Sequence, residues 1–255
     1  MGTDLVRTEF EGPIAILTLS RPERRNALSL AMMRALRASL QAVGDARVVV
    51  LAAEGAVFCS GHDLGEMTGL DEAGFREVFG ECSGLMEAIQ QIPQPVIAEV
   101  QGLATAAGCQ LVASCDLALC SDKAGFATPG VKIGLFCTTP MVALTRAIGR
   151  KRAMEMLLTG RVVGAAEAAE WGLVNRVVEG TALRAASLEM ANQIASASSY
   201  TVALGKRAFY EQVEMEQHAA YAAASETMTC NALDDDAREG ISAFLGKRQP
   251  VWKGR

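Results

Sequence analysis

Three short apolar runs constrain this chain more than any other feature of its sequence: Val48–Ala53, Val96–Val100 and Leu117–Cys120. Each has the length of a strand and largely lacks the polar alternation of a half-exposed one. That is the pattern of strands covered on both faces. The segments around them carry helical spacing. Ser29 can cap a helix with Leu30, Met33, Leu36, Leu40 and Val43 on one face and Gly44 as its stop. A second helix is predicted from about Asp71 to Ile92, ended by Pro93 and Pro95. Covered strands alternating with helices give an α/β core. Ahead of it, Val6–Phe10 and Ile14–Leu19 flank Glu11-Gly12-Pro13 and read as a hairpin. From Thr181 onward the pattern is almost only helical: Thr181–Ala197, Tyr200–Val213, Glu216–Cys230 and Asp235–Leu245. A boundary is therefore expected near residue 197, between a core (1–197) and a helical region (198–255).

Composition narrows the function. With 24 Lys+Arg against 29 Asp+Glu the net charge is −5, which argues against a nucleic-acid binder. Aromatics are only 5%, so a stacking platform for bases is not expected. Hydrophobic residues make up 50%, enough for a sizeable core, yet no stretch approaches the ~18 apolar residues of a membrane span. The seven cysteines are odd in number and form no C-x-x-C pair. Asp4, Arg7, Glu9 and Glu11 interrupt any signal-peptide apolar region. Together these features predict a reduced, soluble, cytoplasmic protein.

Several signatures are missing. No G-x-G-x-x-G follows a strand, no P-loop or G-x-S-x-G elbow is present, and no Cys/His set has zinc-ligand spacing, so no metal is expected. Two segments that follow buried strands invite a functional reading instead: Phe58-Cys59-Ser60-Gly61-His62-Asp63-Leu64 and Gln101–Gln110. Small residues there would let a ligand approach the backbone. The main-chain N–H groups around Ala107 and Gly108 would open a helix, where they lack partners and favour negative charge. The same residue types also serve close helix–strand packing, and spacing alone does not separate the two.

These segments sit within a wider likeness. Leu19-Ser20-Arg21-Pro22 with Asn26-Ala27-Leu28, then Phe58–Leu64, Gly102–Asp116, Leu158-Thr159-Gly160 with Gly172-Leu173-Val174, and Asp236–Gly240 with Ala243-Phe244 run in order along nearly the whole chain. The sequence thereby resembles the enoyl-CoA hydratase/isomerase, or crotonase, superfamily. The resemblance implies a crotonase-like spiral of ββα units with a C-terminal helical trimerisation region. It also implies an acyl-CoA thioester substrate whose coenzyme A arrives with it, and a homotrimer or hexamer with neither nucleic acid nor membrane as partner. By position, the backbone N–H groups of His62 and Ala107 would form an oxyanion hole. Arg24, Arg25, His62, Asp63, Leu64 and Gly65 would line the coenzyme, and Phe244 and Lys247 would reach that of a neighbouring subunit. Arg24 and Arg25 also read as a solvated basic turn, and Phe244 as ordinary helix packing. Ala56 and Gly65 stand where relatives carry lysines.

The chain departs from its family at two points. The water-activating glutamates of hydratases fall at Gln110 and Gly130. An amide cannot take a proton and glycine has no side chain, so ordinary hydration is expected to be weak. The Ser60-Gly61-His62-Asp63 run resembles acyl-CoA decarboxylases of the superfamily, and the His62 imidazole is a candidate catalytic group, a loop histidine facing solvent or coenzyme being the plainer alternative. Cys137, Thr138 and Thr139 fall where relatives line the acyl pocket, or simply begin a helix. The expected function is an acyl-CoA enzyme of hydratase-like lyase or isomerase type with an atypical site. The alternatives are a decarboxylase or thioesterase, and a non-catalytic acyl-CoA-binding protein.

Overall fold

The computed structural model describes residues 4–254. Among the described residues, ten strands and eleven α-helices follow in chain order. The hairpin β1 (Val6–Glu11) and β2 (Ile14–Leu19) leads to α1 (Leu30–Gln41), β3 (Val48–Ala53) and β4 (Val57–Cys59). Next come α2 (Leu64–Met67), α3 (Glu72–Gln91), β5 (Val96–Val100), β6 (Leu103–Thr105), α4 (Ala107–Ser114), β7 (Leu117–Ser121) and β8 (Gly125–Ala127). The helices α5 (Thr138–Ala147) and α6 (Arg150–Thr159) precede β9 (Val163–Gly164), α7 (Ala165–Trp171) and β10 (Arg176–Val178). Four helices close the chain: α8 (Leu183–Ala195), α9 (Ser199–Val213), α10 (Gln217–Leu233) and α11 (Asp235–Leu245).

The strands form two sheets, in the orders β1-β2-β3-β5-β7-β10 and β4-β6-β8-β9. Successive units β3-β4-α3, β5-β6-α4 and β7-β8-α5 each give one strand to each sheet, so the chain winds as a spiral of ββα units. Pairing within the spiral is parallel; only the β1–β2 and β8–β9 pairs are antiparallel. The apolar runs now have their reason. Val49 and Leu51 of β3 pack with Leu36, Leu85 and Met33 in the larger core, while Val48 and Val50 pack with Leu183 and Ala191 of α8 on the other face. The one acid in these runs, Glu99, faces α8 and pairs with Arg184 at 3.0 Å.

Local caps match the sequence: Ser29 Oγ accepts the Met32 N–H and Asp71 Oδ1 accepts that of Gly74. Glu54–Leu70 and Gly102–Gly108 contain the short strands β4 and β6, for which the sequence gives no signal, and α4 begins at Ala107. Three-residue strands are too short to show a period; their partners define them.

The C-terminal helices differ in how they attach. The side chain of Lys206 on α9 is only 6% exposed and donates to the carbonyls of Ile89 and Gln94, each at 2.8 Å, while pairing with Asp116 Oδ2 at 2.8 Å. Tyr210 donates its hydroxyl to Asp116 Oδ1, and the Val96 N–H donates to Asp116 Oδ2. This polar knot pins α9 to the core. Neither α9 nor α10 contributes a fully buried residue, so this knot, which α10 lacks, is what distinguishes them. Removing the cation should strand a buried carboxylate and two carbonyls. Lys206→Ala is expected to cost about 3 kcal/mol of stability in urea denaturation. Adding Asp116→Asn should then cost less than the sum of the two single changes. Unchanged stability in Lys206→Ala would show that the knot does not hold α9.

Candidate active site

The segments that follow β4, β6 and β8 converge. These three strands are parallel neighbours, so their C-terminal ends lie side by side, the place where α/β folds gather ligands. After β4 the chain runs through Ser60 and Gly61 to His62; after β6 through Ala106 into α4; after β8 through Thr128 and Pro129 to Gly130. Together they wall a cavity of about 610 Å³.

Hydrogen bonds fix the first two segments and leave two donors over. Leu28 donates to Gly61 O at 2.8 Å and Asp63 donates to Leu28 O at 3.3 Å, which leaves the N–H of His62, between them, pointing elsewhere. Ala106 donates to Ala127 O at 2.9 Å, and Thr105 Oγ1 to Ser60 O at 3.0 Å. Ala107 is the first residue of α4, so its N–H has no partner within the helix. Among the described residues, neither the His62 nor the Ala107 N–H donates to any protein acceptor.

Bringing the two segments together requires close backbone contact. A Cβ on Gly108 would lie 2.2 Å from the carbonyl oxygen of Cys59, so any side chain there would push α4 away from β4. Ala106 sits at φ 51° and ψ −119°, a conformation an L-residue adopts at a cost of about 1–3 kcal/mol. The strain lies immediately before the free N–H of Ala107. Further support comes from buried Asn26, which accepts from the Arg21 N–H and donates to the carbonyls of Glu54 and Val57, each at 2.9 Å.

Most expected site residues reach this cavity: Arg24, Arg25, His62, Asp63, Leu64, Gly65, Ala107 and Gly130 line it, with Cys137, Thr138 and Thr139. Asp63 is occupied, its carboxylate accepting the Gly65 N–H and pairing with Arg24 at 2.9 Å. The Arg24 guanidinium holds that carboxyl below its ordinary range. The His62 ring stands edge-to-face against Phe79, with centroids 5.6 Å apart. Its Nε2 is enclosed without a hydrogen-bond partner, and burial pushes its pKa down to about 4.

Three expected residues do not come to the cavity wall. Gln110 is buried on α4, its Oε1 facing the Cys82 thiol at 3.9 Å. Phe244 and Lys247 lie on and just beyond α11, away from the cavity of their own chain, and Phe244 is 83% exposed. Gly130 is at the wall, but its missing side chain leaves no room to fill. A Cβ there would stand 2.0 Å from Leu135 O, because the Leu135 N–H donates to Gly130 O at 3.0 Å and folds the following turn over it. Lys132 and Phe79 are wall residues that sequence reading missed. A lone loop lysine and one aromatic on a helix carry no signal of their own.

Comparison with known proteins identifies the family and the fold. A family model described as Enoyl-CoA hydratase/isomerase matches residues 9–255. The rat (Rattus norvegicus) protein named enoyl-CoA hydratase domain-containing protein 3, mitochondrial, is 50% identical over 252 residues, covering 97% of this chain and 84% of that one. A crystal structure of an enoyl-CoA hydratase from Mycobacterium smegmatis superposes with a TM-score of 0.95 at 48% identity, covering 97% of this chain and 98% of that one. The human enoyl coenzyme A hydratase domain-containing protein 3 gives the same TM-score and identity, covering 97% and 100%. The cytoplasmic expectation is overturned, since the similar proteins of rat, mouse and human are all named mitochondrial. Unpaired cysteines report the redox state of a compartment, not which compartment it is.

Burial of His62 has a measurable consequence. The folded state favours the neutral ring, with its pKa near 4 against an ordinary 6.5. This contribution is therefore present above about pH 6.5 and lost as pH falls toward 4, on the order of 3 kcal/mol in all. Urea midpoints measured from pH 7 to pH 4 should fall more steeply for the native protein than for His62→Gln. Parallel curves would show that the ring is solvated.

Proposed function

Because the chain belongs to the enoyl-CoA hydratase/isomerase family, we propose that it binds acyl-CoA thioesters and stabilises their enolates between the N–H groups of His62 and Ala107. The observation that carries this reading is the pair of unspent main-chain donors at one cavity wall. Chemistry at the carbon next to a thioester carbonyl drives an electron pair onto the carbonyl oxygen. Two fixed donors meet that charge without reorganising, each contributing about 3 kcal/mol. They are backbone groups, so the histidine and alanine side chains at these positions do not impair them. Arg24, Arg25 and Lys132 line the same cavity and suit the phosphates of coenzyme A, which enters as part of the substrate.

The site lacks the means to activate water in the usual way. Gln110 faces a thiol, the space beside Gly130 is filled by backbone, and the only carboxylate among the described wall residues, Asp63, is engaged by Arg24. Ordinary hydration should therefore be slow by about 10²–10⁴-fold. The same lack favours a second reading, loss of carbon dioxide from a malonyl-type thioester, since that step needs an enolate stabiliser rather than a water-activating base.

Assembly follows from what the C-terminal helices leave uncovered. Phe209, Tyr221, Met228, Leu233, Phe244 and Leu245 are exposed, an apolar surface suited to burial against further copies. In this reading residues 1–197 form the binding core, 198–255 build a homotrimer or hexamer, and Phe244 and Lys247 serve a neighbour's cavity.

Two measurements test the proposal. Saturating crotonyl-CoA should raise the melting temperature by mass action on the native state, while loss of its enoyl absorbance proceeds slowly. An unmoved melting curve with acetyl-, crotonyl- and longer acyl-CoAs would remove the ligand assignment, and rapid hydration would show that another group activates water. Sedimentation should give a trimer or a multiple of three at micromolar concentration; a stable monomer would refute the assembly.

A further inference from the structure

We propose that the His62 imidazole is the base that removes a proton from the acyl carbon next to the thioester carbonyl, in place of the carboxylates this site lacks. The inference rests on the enolate-stabilising reading of the cavity and adds the group that makes the enolate.

Elimination among the described wall residues leads to it. Asp63 is bound to Arg24 and the Gly65 N–H. Arg24, Arg25 and Lys132 are cations, and burial pushes the Cys137 thiol up, away from thiolate. His62 alone offers a neutral, unspent proton acceptor: Nε2 is enclosed without a partner, and Nδ1 makes no hydrogen bond within the described residues either. Placement follows from the backbone. The N–H of His62 is itself one of the two free donors, so its ring belongs to the residue that would hold the carbonyl oxygen. The ring packs edge-to-face against Phe79, which lines the same cavity.

The energetics are compatible. A ring whose conjugate acid titrates near 4 is about as basic as an ordinary glutamate. The burial that disfavours imidazolium is offset when an enolate anion forms beside it. In the step, the unprotonated ring nitrogen takes the proton, the C–H electron pair becomes the carbon–carbon double bond of the enolate, and the carbonyl π pair moves onto oxygen between the two N–H groups. Return of a proton from the imidazolium restores the thioester.

The test is hydrogen exchange at that carbon. Native protein and His62→Ala are incubated with butyryl-CoA in D₂O, and deuterium in the acyl group is followed by mass spectrometry. The native protein should exchange, and His62→Ala should be slower by about 10²–10⁴-fold. Because the variant keeps its backbone N–H, its melting temperature should still rise with butyryl-CoA. Free imidazole should restore part of its exchange, and His62→Gln, which fills the space but takes no proton, should be as slow as the alanine variant. Undiminished exchange in either variant overturns the proposal, as does a native protein that binds butyryl-CoA without exchanging it. Absence of any melting shift in the native protein would instead remove the acyl-CoA reading, and this inference with it.

Discussion

Everything at the site depends on how closely the ends of β4 and β6 approach each other. The proposed oxyanion hole asks two backbone N–H groups to share one oxygen, which needs such an approach, and Gly108, whose Cβ would meet Cys59 O at 2.2 Å, permits it. Ala106 accepts a strained backbone at φ 51° to turn the chain from β6 into α4. The strain persists because the surroundings over-determine it: the Ala106 N–H is held by Ala127, and the β4 loop by Leu28 and Asn26. The small sheet thus acts as a jig. Its short strands set the spacing of three loops while burying Phe58 and Phe126 in the core.

The same cavity treats its titratable groups differently. Cations stand at the wall with the one carboxylate neutralised among them, while the enclosed histidine is kept uncharged by burial. An anion forming at the two N–H groups therefore meets donors and no competing negative charge. The missing glutamates fit this pattern in an unexpected way. Position 130 is closed by the turn to Leu135, so restoring a carboxylate there requires rebuilding the loop.

Attachment of the C-terminal helices shows a comparable division. The Lys206–Asp116–Tyr210 knot fixes α9 by hydrogen bonds buried against the sheet, whereas α10 adds nothing to the core of its own chain. A helix that is neither buried nor polar all round has apolar surface to give to a partner, which is why the assembly reading rests on this region.

The sequence by itself determined the covered sheet and most of the helices. A strand buried on both faces must be apolar at every position, and Ser29, Asp71 and the Pro93–Pro95 pair mark helix ends through local hydrogen bonds and sterics that need no distant partner. It also determined the family, through ordered blocks along the chain, and marked two of the segments that wall the cavity. What only the tertiary structure decided is non-local. β4 and β6 exist because of their neighbours, and Lys132 and Phe79 become wall residues because loops far apart in sequence meet. Gln110 turns from the cavity toward Cys82, and Gly130 is sealed rather than vacant. Each depends on which surfaces face each other across the fold, and a single chain's residue types carry no record of that distance.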